Sequence, residues 1–252
     1  MHEIAMETMS EAFLACWLAA GRHLGSRVDG GIRTWLRAHP YPPFREHLSF
    51  RLGNQIFFVR IEDVAGKVEG PGNRSGFVGL ARDVGGHACI LPMKQRFPDG
   101  KWVADRPDWG LLDALTGQPV DPVASVTDDK IEISAWEAQD MAVQIVRDHL
   151  EQTGYKLISW QGDPKLDPSI WFVGDAGRPE WVLVRAVRYP ASEAARPANW
   201  AEIERSCAAF AARGHFASVA LVSADQPFVS RDEAPVPLWR GHGVHVRFTD
   251  LV

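Results

Sequence analysis

Residues 134–160 read SAWEAQDMAVQIVRDHLEQTGYKLISW, and their rhythm changes once along the way. Ser134 stands three residues before Glu137, the spacing at which a hydroxyl and a carboxylate cap a helix start reciprocally. Ala138, Met141, Ala142, Ile145 and Leu150 then recur at helical spacing, and Gly154 supplies a stop. Tyr155–Trp160 follows as a strand. Further along, Ser169–Val173 is a second strand, and the turn Gly174–Gly177 leads to a third over Glu180–Arg188. In that third strand Trp181, Leu183, Arg185 and Val187 share one face. Asn199 and Glu202 open a second helix that Gly214 is expected to close. Phe216–Ser223 is a continuous apolar run of the kind found in buried central strands, and Val244–Phe248 is a last short strand.

Upstream the pattern differs. Residues 5–21 read as a helix with Met6, Met9, Phe13, Trp17 and Ala20 on one face. A second short helix is expected over 31–38, before the breaker His39–Pro43. Glu46–Leu52 and Gln55–Glu62 are β-rich runs separated by Gly53-Asn54, a hairpin signal. Residues 64–76 are glycine-rich and read as a loop. Phe77–Arg82, His87–Phe97 and Lys101–Val103 read as strands of an antiparallel meander over 46–103, with 104–127 as a partly packed linker. The expected fold class is α+β. N-terminal helices and the meander fill residues 1–127, and an αβββαβ module fills 128–252.

Bulk properties bound the partners. The chain has 252 residues, 46% hydrophobic and 23% charged, enough for a real core. Its ten tryptophans are expected mostly as core anchors. Residues 1–127 balance 14 basic against 14 acidic side chains, whereas 128–252 carry 13 against 18. That balance disfavours a broad nucleic-acid footprint, which is basic, although a local basic face would still fit one. Cys16, Cys89 and Cys207 are far apart and odd in number, which gives neither a disulfide framework nor a zinc knuckle. The apolar run Ala12–Ala20 is too short to span a bilayer and follows acidic residues. A soluble protein of the reducing cytoplasm is expected.

The order helix, three strands, helix, strand over residues 134–223 resembles the PD-(D/E)XK, or restriction-endonuclease-like, superfamily. The likeness is clearest in Ile145–Ile158, a helix-Gly-Tyr-strand opening, and extends over 134–248. It implies a metal-dependent nuclease core in which an Asp begins the second strand and a Glu and a Lys lie two apart on the third. The acids would hold Mg²⁺, which activates water and neutralises phosphate charge. Carried over residue by residue, Ser169 falls on the Asp, Ala186 on the Glu and Arg188 on the Lys. A shift of one residue brings Arg185 and Val187 there instead. A hydroxyl and a methyl group do not hold a hard cation. The acids that could be relocated are Asp163 and Asp167, which flank Pro164 and Pro168 and also suit turns. Glu180 lies roughly 20 Å from Ala186 along a strand at ~3.3 Å per residue.

Other clusters carry weaker signals. His242 and His245 fall on opposite faces of a strand, and His87 and Cys89 share a face without a third ligand. Gly66-Lys67 lacks the remainder of a phosphate-loop pattern, and Asn73-Arg74-Ser75 is a sequon by chance. Arg185 and Arg188 are the candidate anion-binding residues, since a guanidinium fork suits phosphate or carboxylate. The competing expectation is that Arg185 pairs with a helix acid such as Asp140 or Asp148, or sits on an edge strand facing water.

The preferred expectation is a non-catalytic binding or assembly protein with no cofactor and no metal, taking a protein or an anionic ligand. The alternatives are a divergent Mg²⁺-dependent nuclease using Asp163, Asp167 and Arg188, and a nucleic-acid binder reading backbone through Lys165, Arg185 and Arg188. A homodimer fits any of the three.

Overall fold

The structure is a computed structural model that describes residues 10–32, 34–37, 47–70, 73–211, 213–225, 236–248 and 250–252. The fold is α+β, with four helices and two mixed sheets among the described residues. The chain divides into two compact units, residues 5–130 and 131–252. Met6, Met9 and the breaker at 39–43 lie outside the described residues.

In the first unit, helix α1 (Glu11–Gly25) starts where the Ser10 hydroxyl accepts the Phe13 amide. Its buried stripe is Phe13, Cys16, Trp17, Ala20 and Leu24, which packs on Leu48, Phe50, Phe57, Val59 and Leu91 of the sheet. The expected helix over 31–38 is instead strand β1 (Thr34–Arg37), paired antiparallel with β2 (His47–Leu52). Its β-branched and aromatic pair, Thr34-Trp35, suits a pleated surface better than a helix. The hairpin of β2 and β3 (Gln55–Asp63) is as read, with Gly53 in the left-handed region at its turn.

The antiparallel meander is overturned at the next step. Phe77–Arg82 lies within helix α2 (Arg74–Val84), and this helix is the crossover that lets β3 run parallel to β4 (His87–Gln95). Phe77, Ala81 and Val84 are its buried face, at spacings of four and three. Asn73, the sequon residue, caps the helix by accepting the Gly76 amide, and Gly85 closes it at φ 68°.

Strands β5 (Trp102–Ala104), β6 (Leu111–Asp113) and β7 (Pro119–Val120) complete a seven-stranded sheet. Residues 104–127 are therefore part of the fold and do not act as a linker. Trp109 and Leu111 are in the core, and Asn54 donates to the Thr127 hydroxyl at 3.0 Å. Four of the ten tryptophans, Trp17, Trp109, Trp136 and Trp181, are buried and the other six are partly exposed, so the rings border the cores as much as fill them.

The second unit follows the expected order. It comprises α3 (Ala135–Gln152), β8 (Lys156–Trp160), β9 (Ile170–Val173), β10 (Pro179–Arg188), α4 (Trp200–Cys207), β11 (Arg213–Ser223) and β12 (Val244–Phe248). The sheet order is β12-β11-β10-β9-β8, with β10 and β11 parallel and every other pair antiparallel. The capping box of Ser134 and Glu137 is present in both directions. The period-two alternation of β10 sends Val182 and Val184 into the cluster with α3 and Trp181 and Leu183 into the cluster with α4. Helices thus cover both faces of the sheet. Helix α4 is shorter than expected. It ends at Cys207, and Gly214 belongs to β11, where it lies opposite Trp181. A Cβ at Gly214 would sit 2.1 Å from the Trp181 ring, so only glycine admits that ring.

Candidate functional site

The site predicted from sequence lies where β9 leaves β10. The two strands pair from Pro179↔Val173 to Val182↔Ile170, and the Ser169 amide still donates to the Val182 carbonyl at 2.9 Å. Beyond that point β10 continues to Arg188 along β11, while β9 has ended. The backbone groups on the β9 side of Val184 and Ala186 therefore need other partners. Side chains supply them. The Ser169 hydroxyl accepts the Val184 amide at 3.1 Å. The Gln139 carboxamide, reaching in from α3, donates to the Val184 carbonyl at 2.8 Å and accepts the Ala186 amide at 3.1 Å. Ser169 and Gln139 are both buried. One amide thus mimics the missing strand across the fork.

The other predicted residues surround this plug. Asp167 forms a two-pronged ion pair with Arg185, with contacts of 2.8 and 2.6 Å. Arg185 therefore pairs with an acid from the loop before β9 and not with a helix acid such as Asp140 or Asp148. Asp140 is buried, accepts from the Gln144 amide at 2.7 Å, and packs against Gly162, where any Cβ would lie 2.2 Å from its carboxylate. Asp163 accepts the Lys165 amide at 2.9 Å, a turn-forming contact. Arg188 is held by the Glu132 carboxylate and the Ile133 carbonyl. Glu180 hydrogen-bonds the His215 ring at 2.7 Å. A Cβ at Gly174 would overlap the Glu180 carboxylate, so Gly174 leaves the room it needs.

Sequence reasoning missed Gln139. The signal was available: Gln139, Val143, Val146 and Leu150 form one buried stripe, and a polar residue in such a stripe requires buried partners. It also missed the pair Glu137–Arg240, with contacts of 3.0, 3.2 and 2.9 Å and almost no exposure of either side chain. Arg240 is more than a hundred residues from Glu137 in the chain, and no local pattern joins them.

Residues 136–252 match the model of a domain of unknown function, DUF8840. No curated protein and no solved structure matches the chain. The DUF8840-matched region begins within α3 and includes Gln139, the Asp167–Arg185 pair and the whole sheet of the second unit.

A divalent ion at the fork of this region would meet a hydroxyl already accepting an amide, a methyl group, and a carboxylate clamped by a guanidinium. A hard cation wants six or more oxygens, several of them anionic, and these residues do not fit one. Among the described residues, no group of three or more His, Cys, Asp or Glu side chains is arranged to hold a metal. His87 instead hydrogen-bonds Gln55 at 3.0 Å, while His242 lies in the turn before β12 and His245 on that edge strand, both exposed. Near Gly66 and Lys67, the Asp63 carboxylate collects the amides of Ala65, Lys67 and Val68. The three cysteines are free and buried, and burial pushes the Cys16 and Cys89 thiols up to about 12, which removes their nucleophilic form. No helix among the described residues is long and apolar enough to cross a membrane.

Proposed function

We propose that residues 131–252 are a non-catalytic binding or assembly module built on a restriction-endonuclease-like frame. The element order αβββαβ supports the frame. The observation that carries the non-catalytic reading is the Gln139–Ser169 plug. Where the resemblance places two metal-binding acids, the chain puts hydrogen bonds that complete its own strand. The relocated acids are also committed, Asp167 to Arg185 and Asp163 to a turn. Arg185 and Arg188 already hold carboxylates, so an anion at either must displace one. This favours a protein surface over an anionic ligand as the partner of this unit.

The test uses the full chain. Calorimetric titration with Mg²⁺ and Mn²⁺ is expected to give no saturable heat, and single- and double-stranded DNA and RNA are expected to stay intact with either ion. Cleavage that requires the ion and disappears in Asp167→Ala would overturn the reading.

A further inference from the structure

In the first unit, residues of the β4–β5 hairpin line two adjoining hollows. One, about 620 Å³, is lined by Arg22 and His23 of α1 and by Arg96, Lys101 and Trp102. The other, about 400 Å³, is lined by Lys67 of the loop after β3 and by Lys94, Arg96, Phe97 and Trp102. They share Arg96, Gly100 and Trp102. Five permanent cations therefore flank one continuous surface, although residues 1–127 as a whole are neutral.

The opposing acids are fewer. Asp99 pairs with Arg96 and lies 3.9 Å from Lys101, and Asp105 pairs with Lys94 at 3.0 Å. Asp63 lines the second hollow with its carboxylate turned onto three backbone amides. Arg22 and Lys67, one in each hollow, have no ion-pair partner among the described residues. Burial lowers the pKa of His23, which disfavours its charged form. At the hairpin tip Phe97 is 93% exposed, and Val64 beside it in the second hollow is 58% exposed. Phe97 thus presents an aromatic face to solvent at the mouth of a cationic trough.

We infer that this trough binds single-stranded nucleic acid, with Arg22 and Lys67 holding phosphates, Lys94, Arg96 and Lys101 adding positive potential beside their solvent-exposed aspartate partners, and Phe97 stacking on a base. The chemistry is that of sequence-tolerant single-strand binders, in which cations track the backbone and exposed aromatic rings take the bases. It lies wholly in residues 5–130 and is independent of the module proposed for 131–252.

Fluorescence anisotropy of the full chain with a labelled twelve-nucleotide oligothymidylate tests it. At low salt the titration is expected to saturate, with affinity falling as salt rises by a slope of about 0.7 per phosphate engaged. The double variant Arg22→Glu/Lys67→Glu is expected to lower that slope by about 1.4. Phe97→Ala, at a site too exposed to disturb folding, is expected to weaken binding about tenfold and leave the slope unchanged. Failure to saturate at low salt, indifference to Phe97→Ala, or equal competition by polyglutamate would each overturn the proposal, the last by assigning the trough to an acidic peptide.

Discussion

The Arg240 side chain is only 2% exposed and meets the Glu137 carboxylate, itself 5% exposed, in contacts of 3.0, 3.2 and 2.9 Å. The same carboxylate accepts the Ser134 amide at the start of α3, so one acid both closes the helix and pairs with the arginine. Removing one partner of a buried pair leaves an uncompensated charge, at a cost of about 3–5 kcal/mol. Arg240→Ala is therefore expected to lower unfolding stability by about that amount in urea titrations. Glu137→Gln/Arg240→Met is expected to recover most of it, because glutamine can still accept the Ser134 amide and methionine fills the space. A loss below about 1 kcal/mol for the single variant would show that water reaches the site and that the pair is not buried in solution.

At the scale of elements, two glycines make opposite predictions. Gly79 is inside α2 with open space where its Cβ would point, so alanine there removes only backbone freedom from the unfolded chain. Gly79→Ala is expected to stabilise by about 0.5–1 kcal/mol. Gly214 in β11 faces the Trp181 ring, and Gly214→Ala is expected to destabilise by about 1–3 kcal/mol through overpacking. Thermal denaturation of the two variants beside the parent should move the midpoint in opposite directions. The same glycines explain what could be read beforehand. Gly53-Asn54 marked a hairpin because its turn needs the left-handed backbone that Gly53 adopts. Gly76 and Gly79 disguised α2, since interior glycines imitate loop punctuation, and the spacing of Phe77, Ala81 and Val84 was the better guide. The parallel pairing of β3 and β4 followed from that helix and was lost with it. At the fork, the strand positions of Ser169 and Ala186 were legible from period-two alternation. The plug was not, because Gln139 reaches Val184 and Ala186 only once α3 lies across the sheet.

For the whole molecule, the boundaries of the physical unit and of the family match differ by a few residues, and those residues bear load. The match begins at residue 136, whereas the unit begins at 131. The intervening segment pairs with residues 238–240, ahead of β12: the Ile133 amide donates to the Leu238 carbonyl, the Arg240 amide donates to the Ile131 carbonyl, and Glu132 bridges to Trp239. It also supplies Ser134 to cap α3, Glu132 to hold Arg188, and Ile133, buried at 2% exposure, to the core. Burying one isoleucine contributes roughly 1.5–3 kcal/mol, and a helix cap about 1 kcal/mol. Because the apolar clusters around α3 and α4 are drawn wholly from residues 131–252, a fragment of that span is expected to unfold cooperatively by itself. A fragment of 136–252 is expected to be less stable by about 2.5–4 kcal/mol on those two contributions, before the loss of the Arg188 anchor is counted. Circular dichroism melts of the two fragments distinguish the outcomes. Equal midpoints would mean that the 131–134 segment decorates the unit, and that its core closes without the strap.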